Sequence, residues 1–199
     1  MKQSGKLFTC FILAILLGFC FSTNVFSKST PVPEALKGIG GDFVLHSQDG
    51  DVALKDFRGK VVLLYFGFIN CPDACPVTLS NWTKAFDKLS AEEQQKVNGL
   101  MVSVDPERDS YKKLKLFTAF FHENIVGATG SLDELRKVTA LYRTSFIIPK
   151  HEPGKNYGVK HSIYVYVIDP NGQLRDLLDF GADVDAVLAS IRESLQVTQ

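Results

Sequence analysis

Apolar residues occur along the chain either in short continuous runs or at helical spacing, and the two patterns alternate. Continuous apolar runs at 61–66 and 100–104 are typical of central strands that are covered on both faces. Each run is followed by a segment with apolar residues on one helical face, first at 77–89 and again after Ser110, whose hydroxyl can cap a helix. The alternation predicts an α/β domain.

The second half of the chain adds further helices and a hairpin. The predicted elements are a helix from the capping box at Ser131 to near Tyr142, a loop at 146–159, strands at 162–168 and 174–178 around a turn at 169–172, and a helix at 183–195. A short strand at 43–46 precedes the whole series. Together these elements predict a mixed central sheet with helices on both faces and a β-hairpin near the C-terminus.

The N-terminal segment is predicted to lie outside the fold. Lys2 and Lys6 precede an apolar run at 7–21, and the residues before position 28 permit signal cleavage after Ser27. An uncleaved anchor is the open alternative, because the stretch at 7–26 is just long enough to span a bilayer if the polar residues at 22–24 are tolerated. The expected organisation is a signal peptide or N-terminal membrane anchor at 1–27, a linker at 28–40 and one domain at 41–199.

Both interpretations of this segment place the domain outside the cytoplasm, in the periplasm and with the option of attachment to the inner membrane. A mitochondrial presequence is disfavoured because the segment contains no arginine. A lipoprotein site at Cys20 is disfavoured because the preceding residue, Phe19, is bulky where a small residue is expected.

Charge and cysteine content limit the classes of function. The formal net charge is zero, so nothing indicates a nucleic-acid partner. Removal of 1–27 would take two of the 22 basic residues, none of the 22 acidic ones, and two of the four cysteines. Only Cys71 and Cys75 would remain, which is too few for a small disulfide-stabilised scaffold and favours redox or metal chemistry.

The two remaining cysteines lie between the predicted strand at 61–66 and the predicted helix at 77–89. Thiols near a helix N-terminus are close to free N–H groups, which favours the thiolate form that binds soft metals and attacks disulfides. Their Cys-x3-Cys spacing is one residue longer than the thioredoxin-like Cys-x2-Cys motif. The thiolates alone do not distinguish Cu(I) from Zn(II) as the bound metal. A purely structural role for the two cysteines also stays open.

The histidines help to distinguish between copper, zinc and a structural cysteine pair. We predict that His46 and His122 are structural, while His151 lies in the polar loop. His161 ends that loop and enters the strand at 162–168, which can lie beside the strand at 61–66. Two thiolates and one imidazole form a trigonal set suited to copper, whereas a structural zinc ion would need a fourth protein ligand.

At these residues the chain resembles the Sco/SenC family of copper-binding proteins. The segments that carry the resemblance are YFGFINCPDACP at 65–76, VSVDPERDS at 102–110, the Thr129-Gly130 pair, YRTSF at 142–146 and KHSIYVYVIDPNGQL at 160–174. The resemblance implies a thioredoxin-like fold and a copper site, for Cu(I) or Cu(II), formed by Cys71, Cys75 and His161. It also implies delivery of copper to the binuclear centre of cytochrome c oxidase subunit II or to another cuproprotein. A monomer is expected.

The resemblance leaves several points open. Thiol–disulfide exchange on cuproprotein cysteines, with Cys71 and Cys75 as the catalytic pair, is the alternative function, and a copper sensor is a further one. A peroxidase is disfavoured because no supporting Thr and Arg are evident around Cys71. Relatives often carry an acidic residue where this chain has Lys160, which would either stabilise thiolate or oppose a cation. Asp105 and Arg108 form either a buried pair beside the site or a plain surface turn.

Overall fold

The computed structural model describes residues 32–152 and 154–197. Its strands are β1 Val44–Ser47, β2 Gly50–Ala53, β3 Val61–Gly67, β4 Val97–Ser103, β5 Ile125–Ala128, β6 Phe146–Ile147, β7 Lys160–His161, β8 Val165–Ile168 and β9 Leu174–Leu178. Its α-helices are α1 Ala74–Asp87, α2 Ala91–Gln94, α3 Tyr111–Phe121, α4 Leu132–Leu141 and α5 Val184–Leu195, and short 3-10 helices lie at Glu34–Leu36 and Leu54–Phe57.

The central sheet has five strands in the order β5-β4-β3-β8-β9. Strands β3, β4 and β5 are mutually parallel, whereas β8 runs antiparallel to both β3 and β9. Every residue of β3 is buried, as the continuous apolar run predicts for a strand covered on both faces. The mixed sheet, the C-terminal hairpin and the position of β8 beside β3 are all confirmed.

Alternate residues of β3 belong to two separate hydrophobic cores, one on each face of the sheet. Val62, Leu64 and Phe66 pack with residues of the β1–β2 hairpin and α4. On the opposite face, the remaining residues of β3 pack with α1 and α5, where Trp82 and Ile191 are fully buried. The predicted thioredoxin-like architecture of a mixed sheet between helical layers is therefore confirmed.

Some elements differ from the sequence prediction. Strand β5 and the short helix α2 were not predicted, and α1 begins at Ala74, three residues before the predicted start. The predicted strand at 162–168 is shorter and forms β8 at Val165–Ile168, while the predicted loop at 146–159 begins with β6, which pairs with β7. The residues between β7 and β8, at 162–164, belong to neither ladder.

The described part of the predicted linker lies against the domain. Leu36 and Ile39 are partly buried on the core that contains α4. The predicted signal or anchor at 1–27 lies outside the described residues. Within residues 32–152 and 154–197, no helix combines the length and the apolar character needed to cross a bilayer.

Candidate metal centre

The three residues predicted as ligands come together at the end of β3. Cys71 lies in the loop after this strand, Cys75 in the first turn of α1, and His161 on β7. One side-chain ligand atom from each lies within 4.8 Å of the other two. Two segments that are distant in sequence, the cysteine segment at 71–75 and β7, therefore converge on one point.

Cys71 is half-buried, and its surroundings favour thiolate. Its Sγ accepts a hydrogen bond from the backbone N–H of Cys75 at 3.5 Å. Donation from the Cys75 thiol, followed by the N–H groups of Asp73 and Cys75 and by the nearby His161 ring, lowers the pKa of Cys71 to about 4 against the opposing effect of burial. The N–H groups at the start of α1 thus contribute to the thiolate character of Cys71, but the neighbouring thiol is the larger cause.

Cys75 has the opposite character. Its side chain is fully buried, and both the neighbouring Cys71 and burial raise the pKa of its thiol. Its Sγ lies 3.8 Å from the hydroxyl of Tyr65, whose own pKa burial raises, so that this phenol stays protonated. The site therefore combines one thiolate with one thiol that is available to share its proton.

His161 is oriented by a contact on the far side of its ring. Its Nδ1 lies 2.7 Å from the carbonyl oxygen of Ser162, and because a carbonyl only accepts, Nδ1 must carry the proton. In the neutral ring, Nε2 then keeps a free lone pair, the usual arrangement of a metal-ligating histidine. The rings of Tyr65 and Phe68 stand edge-on to the imidazole, with centroids at 6.0 and 5.5 Å.

A buried ion pair links the site to the loop before His161. Asp105 is fully buried and pairs with Arg108, so the structure favours the buried-pair alternative over a surface turn. The guanidinium carbon of Arg108 lies 3.5 Å from the ring centroid of Tyr157 and 5.7 Å from that of Phe68. Arg108 also donates to the backbone oxygen of Tyr157 at 2.9 Å. One side chain thus ties the loop to Phe68, which contacts His161.

The other histidines lie in structural contacts. His46 is 2.8 Å from Asp51 and 3.4 Å from Glu134, which joins the β1–β2 hairpin to α4. His122 follows α3 and stands edge-on to Phe86. The ring of His151 stacks on Tyr157, with centroids 3.7 Å apart.

Two residues at the site were not singled out by the sequence. In the sequence, Tyr65 resembles the other residues of a buried strand, and no pattern indicates where its hydroxyl points. Gly67 ends β3 where a side chain would collide, because a Cβ there would lie 2.8 Å from Cys75 Sγ. The position of Gly67 directly before the cysteine loop is the only sequence signal, and it is a weak one.

Asp73 lies between the two cysteines and precedes α1 without a side-chain cap. Its carbonyl accepts the N–H of Val77 at 3.4 Å, and its own N–H points to Cys71. The backbone of Asp73 therefore contributes to the turn between the two cysteines.

Comparison with known proteins identifies the group to which this arrangement belongs. The sequence model described as SCO1/SenC matches residues 32–196. The chain is 38% identical over 160 residues to mitochondrial protein SCO2 of Saccharomyces cerevisiae, with 79% of this chain and 53% of that protein covered. It thus spans about half the length of that relative.

Solved structures agree with the sequence match. The crystal structure of yeast Sco1 with copper bound aligns with a TM-score of 0.74 and 35% identity, covering 81% of this chain and 91% of that one. A SCO1/SenC family lipoprotein from Bacillus anthracis str. Ames aligns with a TM-score of 0.68 and 28% identity, covering 82% and 99%. Since the matched region includes the sheet, both cysteines and the histidine, the chain belongs to the SCO1/SenC family.

Proposed function

We propose that this chain is a copper chaperone that binds copper through Cys71, Cys75 and His161. It delivers the metal to the binuclear copper centre of cytochrome c oxidase subunit II or to another cuproprotein. The observation that carries the proposal is the convergence of two sulfurs and one imidazole nitrogen within 4.8 Å. The copper bound in the crystal structure of yeast Sco1 supports the same assignment.

The dimensions of the cluster fit a single soft metal ion. Thiolates and imidazoles hold an ion such as zinc at about 2.3 and 2.0 Å, so in a trigonal set around one ion the ligand atoms are about 3.7–4.0 Å apart. The ligand atoms lie within 4.8 Å of one another, so a contraction of about 1 Å or less would bring them to these distances. Three ligands suit Cu(I) or Cu(II), and an incomplete shell lets an acceptor's ligand approach cargo copper.

The proposed location is supported by the relatives and the N-terminal sequence. One relative is mitochondrial and one bacterial relative is a lipoprotein. With the apolar segment at 7–21, these support an extracytoplasmic protein, held in the periplasm by a membrane anchor or released after cleavage. We expect the domain to act as a monomer.

The test is anaerobic copper titration of the reduced chain in four forms: wild type, Cys71→Ser, Cys75→Ser and His161→Ala. Either serine variant should lose copper binding, because one of only two thiolates is removed. His161→Ala should lose Cu(II) affinity by at least tenfold but retain more of its Cu(I) affinity, since Cu(I) accepts low coordination and soft ligands. His46→Ala, which alters a histidine of the β1–β2 hairpin, should behave as wild type. Unchanged Cu(II) affinity in His161→Ala would remove this residue from the site.

Thiol–disulfide exchange on cuproprotein cysteines is a second candidate, favoured by the contrast between the two thiols. Cys71 is the more exposed sulfur and has the lowered pKa, so it suits attack on a disulfide, while the buried Cys75 thiol can resolve the mixed disulfide. The overall exchange oxidises this dithiol and reduces the target disulfide. The rate of disulfide reduction should survive in His161→Ala, whereas equal loss of exchange and copper binding would indicate a structural role for His161.

A further inference from the structure

A cleft of about 420 Å³ opens directly beside His161. Its lining includes the apolar residues Ile147, Leu174 and Leu177, and Arg143 and Lys160 are among its polar residues. The lining contains no aspartate or glutamate. The cleft therefore combines an apolar surface with two positive charges and lacks any negative charge of its own.

Both basic residues are exposed and available to a ligand. Among the described residues, no carboxylate lies within ion-pair distance of Arg143 or Lys160. Two such charges beside apolar residues of the same cleft create a local positive potential that attracts and orients an anionic group.

The backbone at Arg143 supports the use of its side chain. Its φ is 49°, the left-handed conformation that closes α4, and the N–H of Thr144 reaches the carbonyl of Thr139 at 3.0 Å. Glycine is the common residue at such a helix end, because a side chain there costs about 1–2 kcal/mol. An arginine is held here in spite of that cost, and its side chain lines the cleft.

We propose that this cleft docks an acidic segment, with at least one apolar side chain, of the protein that exchanges copper with the site. The inference rests on the proposed function and names the chemistry of its partner. The carboxylates of the segment would pair with Arg143 and Lys160 while its apolar side chain covers Leu174 and Leu177. Because the cleft adjoins His161, docking would bring the partner's own metal ligands next to the copper.

The test uses a fluorescent synthetic peptide with acidic residues around one leucine, and its amide counterpart with glutamine and asparagine instead. Binding of each to the full chain is followed by fluorescence anisotropy at low ionic strength. The acidic peptide should bind at least tenfold more tightly than the amide peptide. The double reversal Arg143→Glu/Lys160→Glu should weaken binding by about tenfold or more, since two attractions become repulsions.

A matched reversal, Lys84→Glu/Lys112→Glu, controls for net charge, because these exposed lysines lie on α1 and α3, away from the cleft. It should bind the acidic peptide as wild type does. Equal weakening by both double variants would overturn the proposal, as would equal affinity for both peptides. Citrate and inorganic phosphate are run as competitors, and displacement of the peptide by either at equal concentration would identify a small-anion site instead.

Copper loading of the wild-type chain is measured in parallel. Absence of copper binding would defeat the proposed function whatever the peptides do. Normal copper loading without discrimination between peptides would defeat only the docking proposal.

Discussion

Gly67 sets how closely Cys75 can approach the central sheet. A Cβ at this position would lie 2.8 Å from Cys75 Sγ and equally close to a ring carbon of Tyr65. Both of those side chains are fully buried, so neither can move away without disturbing the packing around Trp82. The geometry of the cysteine pair therefore depends on having a glycine, which has no side chain, at position 67.

Gly67→Ala should accordingly damage both stability and copper binding. Overpacking of this kind costs about 1–3 kcal/mol of the free energy of unfolding, and displacement of Cys75 should weaken copper affinity by more than tenfold. Urea unfolding and copper titration measure the two effects. Gly158→Ala is the control, because a Cβ there has nothing within 4 Å, and it should change stability by less than about 0.5 kcal/mol. A Gly67→Ala protein with unchanged properties would show that Cys75 has room to move.

The thiolate character of Cys71 depends mainly on donation from its neighbour. With a pKa of about 4, Cys71 should be alkylated at a nearly constant rate between about pH 6 and 8, since it is already ionised below this range. Cys75→Ser retains a donor and should keep this flat profile. Cys75→Ala removes the donor, raises the pKa of Cys71 and should restore a rate that climbs with pH. Peptide mapping of the alkylated reduced chain assigns the rate to Cys71, and identical profiles in the two variants would contradict the role of Cys75.

Residue-level chemistry was predictable only where a residue type has few uses. Two cysteines and one histidine at motif spacing are unusual enough to mark a metal site from sequence. Tyr65 and Gly67 are not, because tyrosines and glycines at strand ends serve many purposes. Their importance depends on distances of a few ångströms to Cys75, and those distances exist only after the chain has folded.

At the scale of elements, the loop between β6 and β7 determines where His161 lies. Arg108 provides several of the polar contacts that attach this loop to the rest of the molecule, since it contacts Tyr157 through both a ring stack and a hydrogen bond. Asp105 anchors the guanidinium, and the hydroxyl of Tyr157 also donates to Asp105 at 2.7 Å. The ladder β6–β7 itself is only two residues long on each side, so these contacts carry much of the loop's order.

Arg108→Lys should loosen this loop while preserving charge. Lysine lacks the planar fork and stacks poorly, so we expect a loss of about 2 kcal/mol of stability and faster amide hydrogen exchange between β6 and β7. Copper affinity should fall because His161 is less well positioned. Arg136→Lys is the control, since its pair with Asp133 is exposed on α4 and contributes little. Equal exchange rates in wild type and Arg108→Lys would mean that other contacts hold the loop.

Strands and helices were predicted correctly where the local sequence pattern matches the burial of the element in the folded protein. The run at 61–66 is apolar because both faces of β3 are buried, and the Ser131 box caps α4 as predicted. Strand β5 was missed because its four residues include a glycine, which packs under Leu114 of α3 instead of contributing a side chain. The β6–β7 pairing was missed because two residues are too few to give a period.

At the scale of the whole molecule, metal binding and folding are thermodynamically linked. The ligands come from β7, α1 and the loop after β3, and the sheet brings these segments together only in the folded state. The order of the predicted strands and helices indicated that β3 and β8 are neighbours. The distances between the two cysteines and His161 could not be predicted, since they depend on how the cores on both faces of the sheet pack.

Copper should therefore stabilise the reduced chain against unfolding. A ligand that binds only the folded state adds about 2.7 kcal/mol when its free concentration is 100-fold above Kd, and for a domain of this size that corresponds to roughly 5–10 °C in Tm. The chain with Cys71 and Cys75 joined in a disulfide lacks thiolates and should show no shift, while His161→Ala should show a smaller one. Calorimetry of the reduced, oxidised and variant proteins with and without copper measures all three. The same increase in the reduced and oxidised proteins would place the stabilising copper away from the cysteines and would contradict the proposed site.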